Sequence, residues 1–568
     1  MSLASGVLPR RVNEMNSRSL KGDVSFVEGE RSEEQLPVLF DENAIDSIFS
    51  PVDQCHLGGA AVGIAIGGTP IYRKGFGLAS MELPVVLSPS IRMRIGSVTK
   101  HFTSLAYMLL CEDGRAGIDD PIRKFLPHLN PVCHDISMRQ LMSHVSGLRD
   151  SCDIRLRLSG YGGTPTQASE LVAMYRDIDD TNAAPGTTWI YNNGAYVILS
   201  AVIEQITGQP LEQVLRDRIF RPVGMYDTLL RSWDTDFLPN SARAHLQTPS
   251  GTYEAANWGL DWAGAGAVMS TVDDMLRWLR HMDAPIVGTR PTWKAMKQPF
   301  ALANGTLTSY GLGLAVGEFR GFTTVYHAGG WLGGNAQMLK VPALGLDVVV
   351  IVNRGELSAS RLAERILDAC LPGQEPARHQ AGDSQLVTGN YVSPTTGRVI
   401  QLFAKQGEQI VSIDGVDLPY IWTADRVLRP VPSWAHINRL VHITGDSAKP
   451  TSIQLDDFGH HDELVRTDAG DDAADAETLF GHYRSTATGT DAVIFGRGDG
   501  GADLRMGGRF NTTLYRLRKV SDGIWDTSSL RSTYYKLILS FDQKRSMFRL
   551  SSGSTRALPF FRVTESTL

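Results

Sequence analysis

A serine and a lysine lie one helical turn apart in "RIGSVTKHFTSLAYMLL", which covers residues 94–110. A serine hydroxyl attacks a carbonyl only when a neighbouring base activates it. Phe102 and Leu109 belong to an apolar pattern with helical spacing, which places Ser97 and Lys100 on one face at the start of a helix. Burial or nearby positive charge would keep this lysine neutral, as a base must be. Taken alone, however, the spacing favours an ordinary helix start with a solvated lysine.

Two further segments carry side chains that could assist such an attack. "PGTTWIYNN" places Tyr191 and Asn193 just before an apolar helix, and "VYHAGGWLGG" places His327 and Gly329 on a strand beside a glycine-rich turn. A tyrosine can relay a proton to a leaving group, and an asparagine can donate to a substrate carbonyl. A glycine-flanked strand edge lets a backbone N–H approach a developing oxyanion. Each residue alone also fits a structural role, as a core tyrosine, a helix cap or a buried histidine.

The elements that must position these residues predict an α/β domain. Strand patterns at 60–80 and 310–353 flank a middle region whose apolar residues recur mostly with the helical period. Strands at both ends of a helical stretch predict one sheet, built from the two ends of the domain with helices inserted between them.

The remaining sequence predicts two further domains. The segment "GNYVSPTTG" (389–397) recurs as "GHYRSTATG" (481–489), with five identical residues at one constant offset. Each copy continues into short alternating strands with glycine turns, which predicts two related antiparallel β-barrels. We therefore divide the chain into a flexible leader (1–36), a catalytic domain (37–372), a linker (373–385), a first barrel (386–465), an acidic linker (466–477) and a second barrel (478–568).

The composition limits the class of protein. The 568 residues are 42% hydrophobic and 20% charged, with a net charge of −6, which is typical of a soluble globular chain and argues against a nucleic-acid surface. No segment approaches the ~20 apolar residues of a membrane span. The scattered cysteines form no disulfide framework, so we expect a reducing compartment, the cytoplasm. "GHHDE" (459–463) lacks metal-ligand spacing and is interpreted as a solvated turn, so we expect no metal and no cofactor.

The order Ser-x-x-Lys, Tyr-x-Asn, His-x-Gly resembles the serine β-lactamase and D,D-peptidase family, and its class C-like branch in particular. Matching neighbourhoods lie within residues 55–355 and include "RIGSVTKHFT", "MRQLMSHVSGLRD", "PGTTWIYNN", "IFRPVGMYDT", "AGAGAVMSTVDDMLRWL" and "YHAGG". The resemblance implies a β-lactamase/D,D-peptidase-like α/β sandwich, an antiparallel sheet with helices, followed by the two barrels. That arrangement looks like the D-aminopeptidases of the family, which remove an N-terminal D-residue from peptides, amides or esters.

The resemblance also implies an acyl-enzyme mechanism. Ser97 would be the nucleophile that becomes acylated, and Lys100 would be its base during acylation. Tyr191 would carry the proton to the leaving amine.

The same resemblance implies the substrate contacts. Asn193, His327 and Gly329 would bind the substrate, and the backbone N–H groups of Ser97 and Gly330 would form the oxyanion hole. Many β-lactam-binding sites have a lysine at the third motif, where it attracts a substrate carboxylate. Histidine is a weaker and conditional cation, which suits a substrate without a carboxylate nearby and favours an aminopeptidase.

In the D-aminopeptidases, a loop from the last barrel reaches into the active site and shapes specificity. The glycine-rich candidate in this chain is "MGGRFNTTLYRL" (506–517), which contains no acidic residue. The sequence therefore does not identify the acid that would hold the free amine of the substrate.

Three other functions stay open. An esterase or amidase would share the acyl chemistry at Ser97. A D,D-carboxypeptidase or β-lactamase would normally require export, for which the sequence shows no signal. A non-catalytic penicillin-binding sensor would use the barrels as its working surface. We expect a small peptide or amide as the partner, no nucleic acid and no membrane, and we leave a homodimer open.

Overall fold

The computed structural model describes residues 38–159, 165–248, 250–371, 386–423, 426–431, 437–444, 449–467, 475–508, 511–529 and 536–563. The predicted leader and the predicted linker at 373–385 lie outside these residues. So do residues 468–474 of the predicted acidic linker.

The strands before residue 355 form one large sheet and three small ones. They are β1 (Ala60–Ile66), β2 (Thr69–Phe76), β3 (Leu78–Ser80), β4 (Val85–Val86), β5 (Met93–Arg94), β6 (Leu229–Leu230), β7 (His245–Gln247), β8 (Tyr253–Ala255), β9 (Val268–Ser270), β10 (Ala315–Phe319), β11 (Phe322–Trp331), β12 (Gly334–Val341) and β13 (Leu346–Val352). The large sheet has the order β10-β11-β12-β13-β1-β2, with antiparallel pairs throughout. β1 therefore pairs with β13, which confirms that the two ends of the region build one sheet.

Helices fill the middle of the region and also flank it. They are α1 (Glu42–Phe49), α2 (Thr99–Glu112), α3 (Met138–Met142), α4 (Ser151–Ser159), α5 (Ala168–Ala173), α6 (Asn193–Thr207), α7 (Leu211–Leu215), α8 (Arg221–Val223), α9 (Val272–His281), α10 (Arg290–Lys297) and α11 (Ala359–Cys370). α2 and α6 carry the site and lie in the core, where most of their residues are buried. α6 ends at Gly208, whose φ of 70° is a left-handed conformation that glycine adopts readily.

Two closed antiparallel barrels follow, as the sequence predicts. The strands of the first are β14 (Gly389–Val392), β15 (Val399–Lys405), β16 (Glu408–Ile413), β17 (Val416–Trp422), β18 (Val427–Pro430), β19 (Arg439–Ile443), β20 (Ser452–Asp457) and β21 (His460–Thr467). The strands of the second are β22 (Gly481–Ser485), β23 (Thr490–Gly496), β24 (Ala502–Gly507), β25 (Thr512–Ser521), β26 (Ile524–Ser529), β27 (Ile538–Phe541), β28 (Met547–Ser551) and β29 (Leu558–Arg562). In each barrel the first strand pairs with the last and closes the sheet.

The sequence repeat corresponds to a repeated packing contact. Tyr391 on β14 and Tyr483 on β22 are both fully buried. Arg466, on the last strand of the first barrel, lies 5.8 Å from the Tyr391 ring centre. Arg562, on the last strand of the second barrel, lies 5.6 Å from the Tyr483 ring centre. The same cation–π contact therefore joins the first and last strands of both barrels.

The first barrel contacts the α/β region, residues 38–371, through the turn between β20 and β21. Phe458 in this turn is fully buried, and its ring centre lies 5.5 Å from that of Trp189. Its carbonyl accepts a 3.0 Å hydrogen bond from the side chain of Asn304, and His460 Nε2 lies 2.8 Å from the carbonyl oxygen of Thr187. Of the "GHHDE" segment only Gly459 lies in this docking turn, whereas residues 460–463 begin β21, so the prediction of a turn was wrong for most of the segment.

The second barrel contacts α4 through the turn between β28 and β29. Ser552 Oγ and Thr555 Oγ1 donate to Asp153 Oδ2, at 2.6 Å and 2.9 Å. Arg149, just before α4, donates from Nη1 to the carbonyl oxygen of Arg556 at 2.8 Å. These bonds join the second barrel to the segment that precedes and begins α4.

A buried ion cluster joins the two barrels. Asp457 is 3% exposed and lies 2.8 Å from Arg398, 3.0 Å from Arg439 and 3.1 Å from Arg556. Arg398 and Arg439 belong to the first barrel, whereas Arg556 belongs to the docking turn of the second. Burial alone would raise the pKa of Asp457, but the three guanidinium groups hold it well below its usual range.

Candidate active site

Ser97 lies in a single helical turn, Gly96–Val98, between β5 and α2. Its side chain is half-buried. Gly96 has a φ of 54°, and a Cβ added there would lie 2.8 Å from the backbone nitrogen of Gly330. Glycine at this position therefore lets β11 approach the turn that carries Ser97.

Lys100 is fully buried in the first turn of α2. Its Nζ lies 3.0 Å from Ser97 Oγ, 2.8 Å from Asn193 Oδ1 and 2.7 Å from the carbonyl oxygen of Ala265. The last two oxygens only accept hydrogen bonds, so they suit the two N–H groups of a neutral amine. The lone pair of that amine is then left for the Ser97 hydroxyl, as a general base requires.

The pKa of Lys100 supports this protonation state. Burial lowers it to about 7, although the negative charge of Asp150 acts in the opposite direction. The Lys100 Nζ also lies 4.8 Å from the ring centre of Tyr191 and 5.4 Å from that of Tyr196. These rings form part of the apolar wall that excludes water from the amine.

Tyr191 is held beside Lys100 by His144. The two rings have centres 4.2 Å apart and planes inclined by 40°. His144 is fully buried, and its Nδ1 accepts a 3.1 Å hydrogen bond from the backbone nitrogen of Asn192. His144 thereby fixes the short segment that connects Tyr191 to α6, and this positioning role was not predicted from the sequence.

Asn193 is the first residue of α6, and a buried carboxylate sits at this helix start. The backbone nitrogen of Asn193 donates to Asp150 Oδ2 at 2.8 Å, and that of Gly194 donates to Asp150 Oδ1 at 2.9 Å. Burial raises the pKa of Asp150 to about 6. Asp150 ends the quoted "SHVSGLRD" segment, but the sequence gives no sign that this carboxylate faces α6.

The edge of β11 lies against the turn of Ser97. A Cβ added to Gly329 would lie 1.9 Å from the carbonyl oxygen of Ile95 and 3.2 Å from the nitrogen of Ser97. Gly330 is exposed, and a Cβ added there would meet no atom of the described residues within 4 Å. The structure therefore brings Gly329 and Gly330 next to Ser97, the arrangement that an oxyanion hole made of backbone N–H groups needs.

His327 lies on β11 but is directed into the protein. It is 5% exposed, with Nε2 at 2.7 Å from the Tyr310 hydroxyl and Nδ1 at 2.6 Å from the carbonyl oxygen of Ala328. A carbonyl only accepts, so Nδ1 carries the proton and Nε2 accepts from Tyr310. Both ring nitrogens of the neutral form have protein partners, and the predicted substrate contact of His327 stays a prediction.

The predicted specificity loop at 506–517 connects β24 to β25, and its residues 509–510 lie outside the described residues. Gly508 lines a cleft of about 310 Å³ together with Ile154 and Leu158 of α4. Tyr515 donates to the carbonyl oxygen of Arg157 at 2.7 Å. The described residues of this loop therefore contact α4.

Among the residues that the structure describes, no group of three or more His, Cys, Asp or Glu side chains is arranged to hold a metal ion. Within the same residues, no helix has the length and apolar character that crossing a bilayer requires.

Two curated relatives are similar to the chain in sequence. It is 29% identical over 350 residues to the D-aminopeptidase of Brucella ovis, a match that covers 61% of this chain and 65% of that protein. It is 29% identical over 371 residues to the D-aminopeptidase of Brucella anthropi, covering 64% of this chain and 69% of that protein. The match to the first relative thus spans slightly less than two thirds of its length.

Solved structures and a family model agree on the fold. The octameric penicillin-binding protein homologue from Pyrococcus abyssi superposes with a TM-score of 0.56 at 22% identity, covering 75% of this chain and 100% of that one. The D-amino acid amidase from Ochrobactrum anthropi SV3 does so with a TM-score of 0.50 at 24% identity, covering 58% and 97%. The family model described as Beta-lactamase matches residues 45–371. By this match, which covers more than half of its length, the chain belongs to the beta-lactamase family.

Proposed function

We propose that this protein is a serine hydrolase that removes N-terminal D-amino acids from short peptides, amides or esters. The observation that carries the proposal is the 3.0 Å contact between Ser97 Oγ and the buried Nζ of Lys100. Membership of the beta-lactamase family supports the serine chemistry. The D-aminopeptidase relatives support the substrate class.

In the proposed mechanism, neutral Lys100 accepts the proton of the Ser97 hydroxyl while Oγ attacks the substrate carbonyl. The negative oxygen of the tetrahedral intermediate accepts hydrogen bonds from the backbone N–H groups of Ser97 and Gly330. Tyr191 passes the proton that Lys100 received from Ser97 on to the departing amine as the C–N bond breaks, which leaves Lys100 neutral again. The D-residue is then joined to Ser97 through an ester.

Hydrolysis of this ester completes the proposed cycle. A water molecule loses a proton to neutral Lys100 and attacks the ester carbonyl. The proton then passes from Lys100 to Ser97 Oγ as the C–O bond breaks. The products are the free D-amino acid and the enzyme in its starting state. Every protein group used in the two half-reactions belongs to the chain itself.

The structure bears on the competing activities. A β-lactamase or D,D-carboxypeptidase benefits from a cation that attracts the substrate carboxylate at the third motif. His327 is buried, and in its neutral form both ring nitrogens have protein partners, which favours a substrate without a carboxylate at this position. An esterase or amidase would use the same groups as the proposed aminopeptidase. A sensor that is acylated by penicillin would also use the Lys100–Ser97 contact, and it would differ from the proposed enzyme in the absence of turnover.

One assay separates these activities. The enzyme is incubated with D-alanine and L-alanine p-nitroanilide, a chromogenic cephalosporin and p-nitrophenyl acetate, with Ser97→Ala as the control. We expect p-nitroaniline from the D-isomer only and no release by the variant. Turnover of the cephalosporin or the acetate without release from D-alanine anilide would overturn the aminopeptidase assignment. Full activity of Ser97→Ala would overturn the mechanism.

We also propose a reducing, cytoplasmic location. All five cysteines are free: Cys55, Cys111, Cys133, Cys152 and Cys370. Reducing compartments keep thiols in this state. Fractionation of the native host with an antibody against the protein would test the location.

A homodimer is a second proposal. Light scattering after size exclusion would test it, and an octamer like that of the Pyrococcus homologue is the alternative.

A further inference from the structure

We propose that Asp150 is a positioning residue for the proposed acyl transfer: its carboxylate fixes the start of α6, so that the Asn193 side chain meets the amine of Lys100. The inference rests on the proposed function and deepens it. The carboxylate binds the starts of α4 and α6 rather than the Ser97 hydroxyl, so its role is exerted through the side chains of Asn193 and Lys100.

Four backbone N–H groups hold the carboxylate in place from two sides. Oδ2 accepts from the nitrogen of Asn193 at 2.8 Å, and Oδ1 accepts from that of Gly194 at 2.9 Å. On the other side, Oδ1 also accepts from the nitrogens of Cys152 at 2.9 Å and Asp153 at 3.3 Å. Asp150 therefore joins the N-terminal ends of α4 and α6. A negative charge is favourable at both ends because the free N–H groups of a helix start carry partial positive charge.

This junction determines where Asn193 points. With its backbone nitrogen bound to Asp150, Asn193 places Oδ1 at 2.8 Å from Lys100 Nζ. That contact uses one of the two N–H groups of the neutral amine and so directs the lone pair towards Ser97. Without the carboxylate, two backbone N–H groups in the first turn of α6 would lose their acceptors, and the backbone from which the Asn193 side chain extends would no longer be held in place.

The same carboxylate also sets the electrostatic environment of Lys100. The titratable groups that face Lys100 are Asp150 and Cys152 at the start of α4, and the two tyrosines whose rings lie beside it, Tyr191 and Tyr196. Asp150 itself is faced by Lys100, Cys152, Asp153 and the phenol of Tyr175. The charge of Asp150 raises the pKa of Lys100, so its removal must lower that pKa and keep the amine neutral to a lower pH.

Asp153 provides a matched control on the same helix. It is also a buried carboxylate, 7% exposed, but it binds Arg157 at 2.8 Å and the docking turn of the second barrel. Its loss should weaken the attachment of the barrel without changing the titration of Lys100.

The test measures how fast a fluorophosphonate probe labels Ser97 between pH 5 and pH 9, in full-length wild type, Asp150→Asn, Asp150→Glu and Asp153→Asn. This probe requires the nucleophile and its base but no particular substrate. We expect Asp150→Asn to be labelled about ten- to a hundredfold more slowly on the plateau. The acid limb of its pH–rate profile, where labelling slows as Lys100 becomes protonated, should move to lower pH by on the order of one unit. Asp150→Glu, which keeps the charge, should retain the wild-type limb, and Asp153→Asn should retain both rate and limb.

Other outcomes would overturn the inference. One is a wild-type labelling rate and a wild-type pH profile in Asp150→Asn. Another is a shift of the pH profile in Asp153→Asn equal to that in Asp150→Asn. A third is loss of the folded circular dichroism spectrum in both Asp150 variants, which would assign the carboxylate to the fold alone. Wild type that is labelled but releases nothing from D-alanine anilide would refute only the proposed substrate. Wild type that is not labelled at Ser97 would refute the proposed mechanism itself.

Discussion

The ring of Phe458, in the docking turn of the first barrel, lies 5.5 Å from the ring of Trp189 in the α/β region. Trp189 in turn lies 6.1 Å from Tyr191 and 5.9 Å from His144. A residue of the first barrel thus belongs to the aromatic cluster that supports the side chain proposed to carry a proton to the leaving group.

Replacing Phe458 by alanine should therefore affect both stability and turnover. The ring is fully buried, and deletion of a buried phenylalanine ring costs about 3–5 kcal/mol. We expect a lower free energy of unfolding in urea and a lower kcat, because the packing behind Tyr191 loosens. Phe561→Ala removes a ring that is 51% exposed and should change neither quantity appreciably. Equal effects of the two variants would show that the docking turn does not support the site.

The pH dependence of the reaction should follow Lys100. Because its pKa is lowered to about 7, the amine becomes charged and inactive as the pH falls through that value. We expect kcat/KM to rise with pH up to about 7 and then to level off. Lys100→Arg should lose about 100- to 10,000-fold in activity, since a guanidinium stays charged at these pH values. Lys74→Arg, at an exposed ion pair with Asp46, serves as the control. An acid limb centred near pH 4 would contradict the assigned base.

The two glycines on β11 should respond differently to alanine. A Cβ on Gly329 would lie 1.9 Å from the carbonyl oxygen of Ile95, so Gly329→Ala must displace the strand edge from the turn of Ser97. We expect an activity loss of about 100- to 1,000-fold, the range measured for loss of an oxyanion donor. Gly330→Ala keeps its backbone N–H and meets no described atom within 4 Å, so it should remain active. An inactive Gly330→Ala with active Gly329→Ala would refute this geometry.

Asp457 should be needed for stability above its unfolded pKa of about 3.9. Its folded pKa is depressed, so its contribution is fully present near neutral pH, begins to decline as the pH falls below the unfolded value, and is lost only as the pH falls through the folded pKa. Asp457→Asn should cost about 3–5 kcal/mol at pH 7, because the buried guanidinium groups of Arg398, Arg439 and Arg556 then lack their carboxylate. Urea unfolding from pH 7 to pH 3 should show this difference shrinking. Asp456→Asn, at the neighbouring half-buried carboxylate, should cost little at any of these pH values.

The sequence predicted the fold because its patterns are local. The helical spacing from Phe102 to Leu109 and the strand patterns at 60–80 and 310–353 are each visible within one segment. The five repeated identities likewise indicated two related barrels. The spacing of Ser97 and Lys100 corresponds to a single helical turn and places both on one face, but their contact was expected only once the other two motifs and the family resemblance were added.

The sequence could not predict contacts that depend on where distant segments meet. Asp150 faces α6 only because the start of α4 packs against it, and nothing in its neighbourhood signals a carboxylate shared by two helices. The sequence around Phe458 is typical of a turn, and only the position of the first barrel brings this ring against Trp189. The direction of the His327 ring depends on the Tyr310 hydroxyl, which lies in a separate segment.

The two docking turns occupy equivalent positions, since each connects the seventh and eighth strands of its barrel. The pseudosymmetry of the two barrels therefore includes the connection through which each barrel contacts the α/β region. Duplication of a single barrel would copy this hairpin together with its strands. The two connections nevertheless differ in length and in contacts: the first has two residues and packs the Phe458 ring against Trp189, whereas the second has six and donates hydroxyl groups to Asp153.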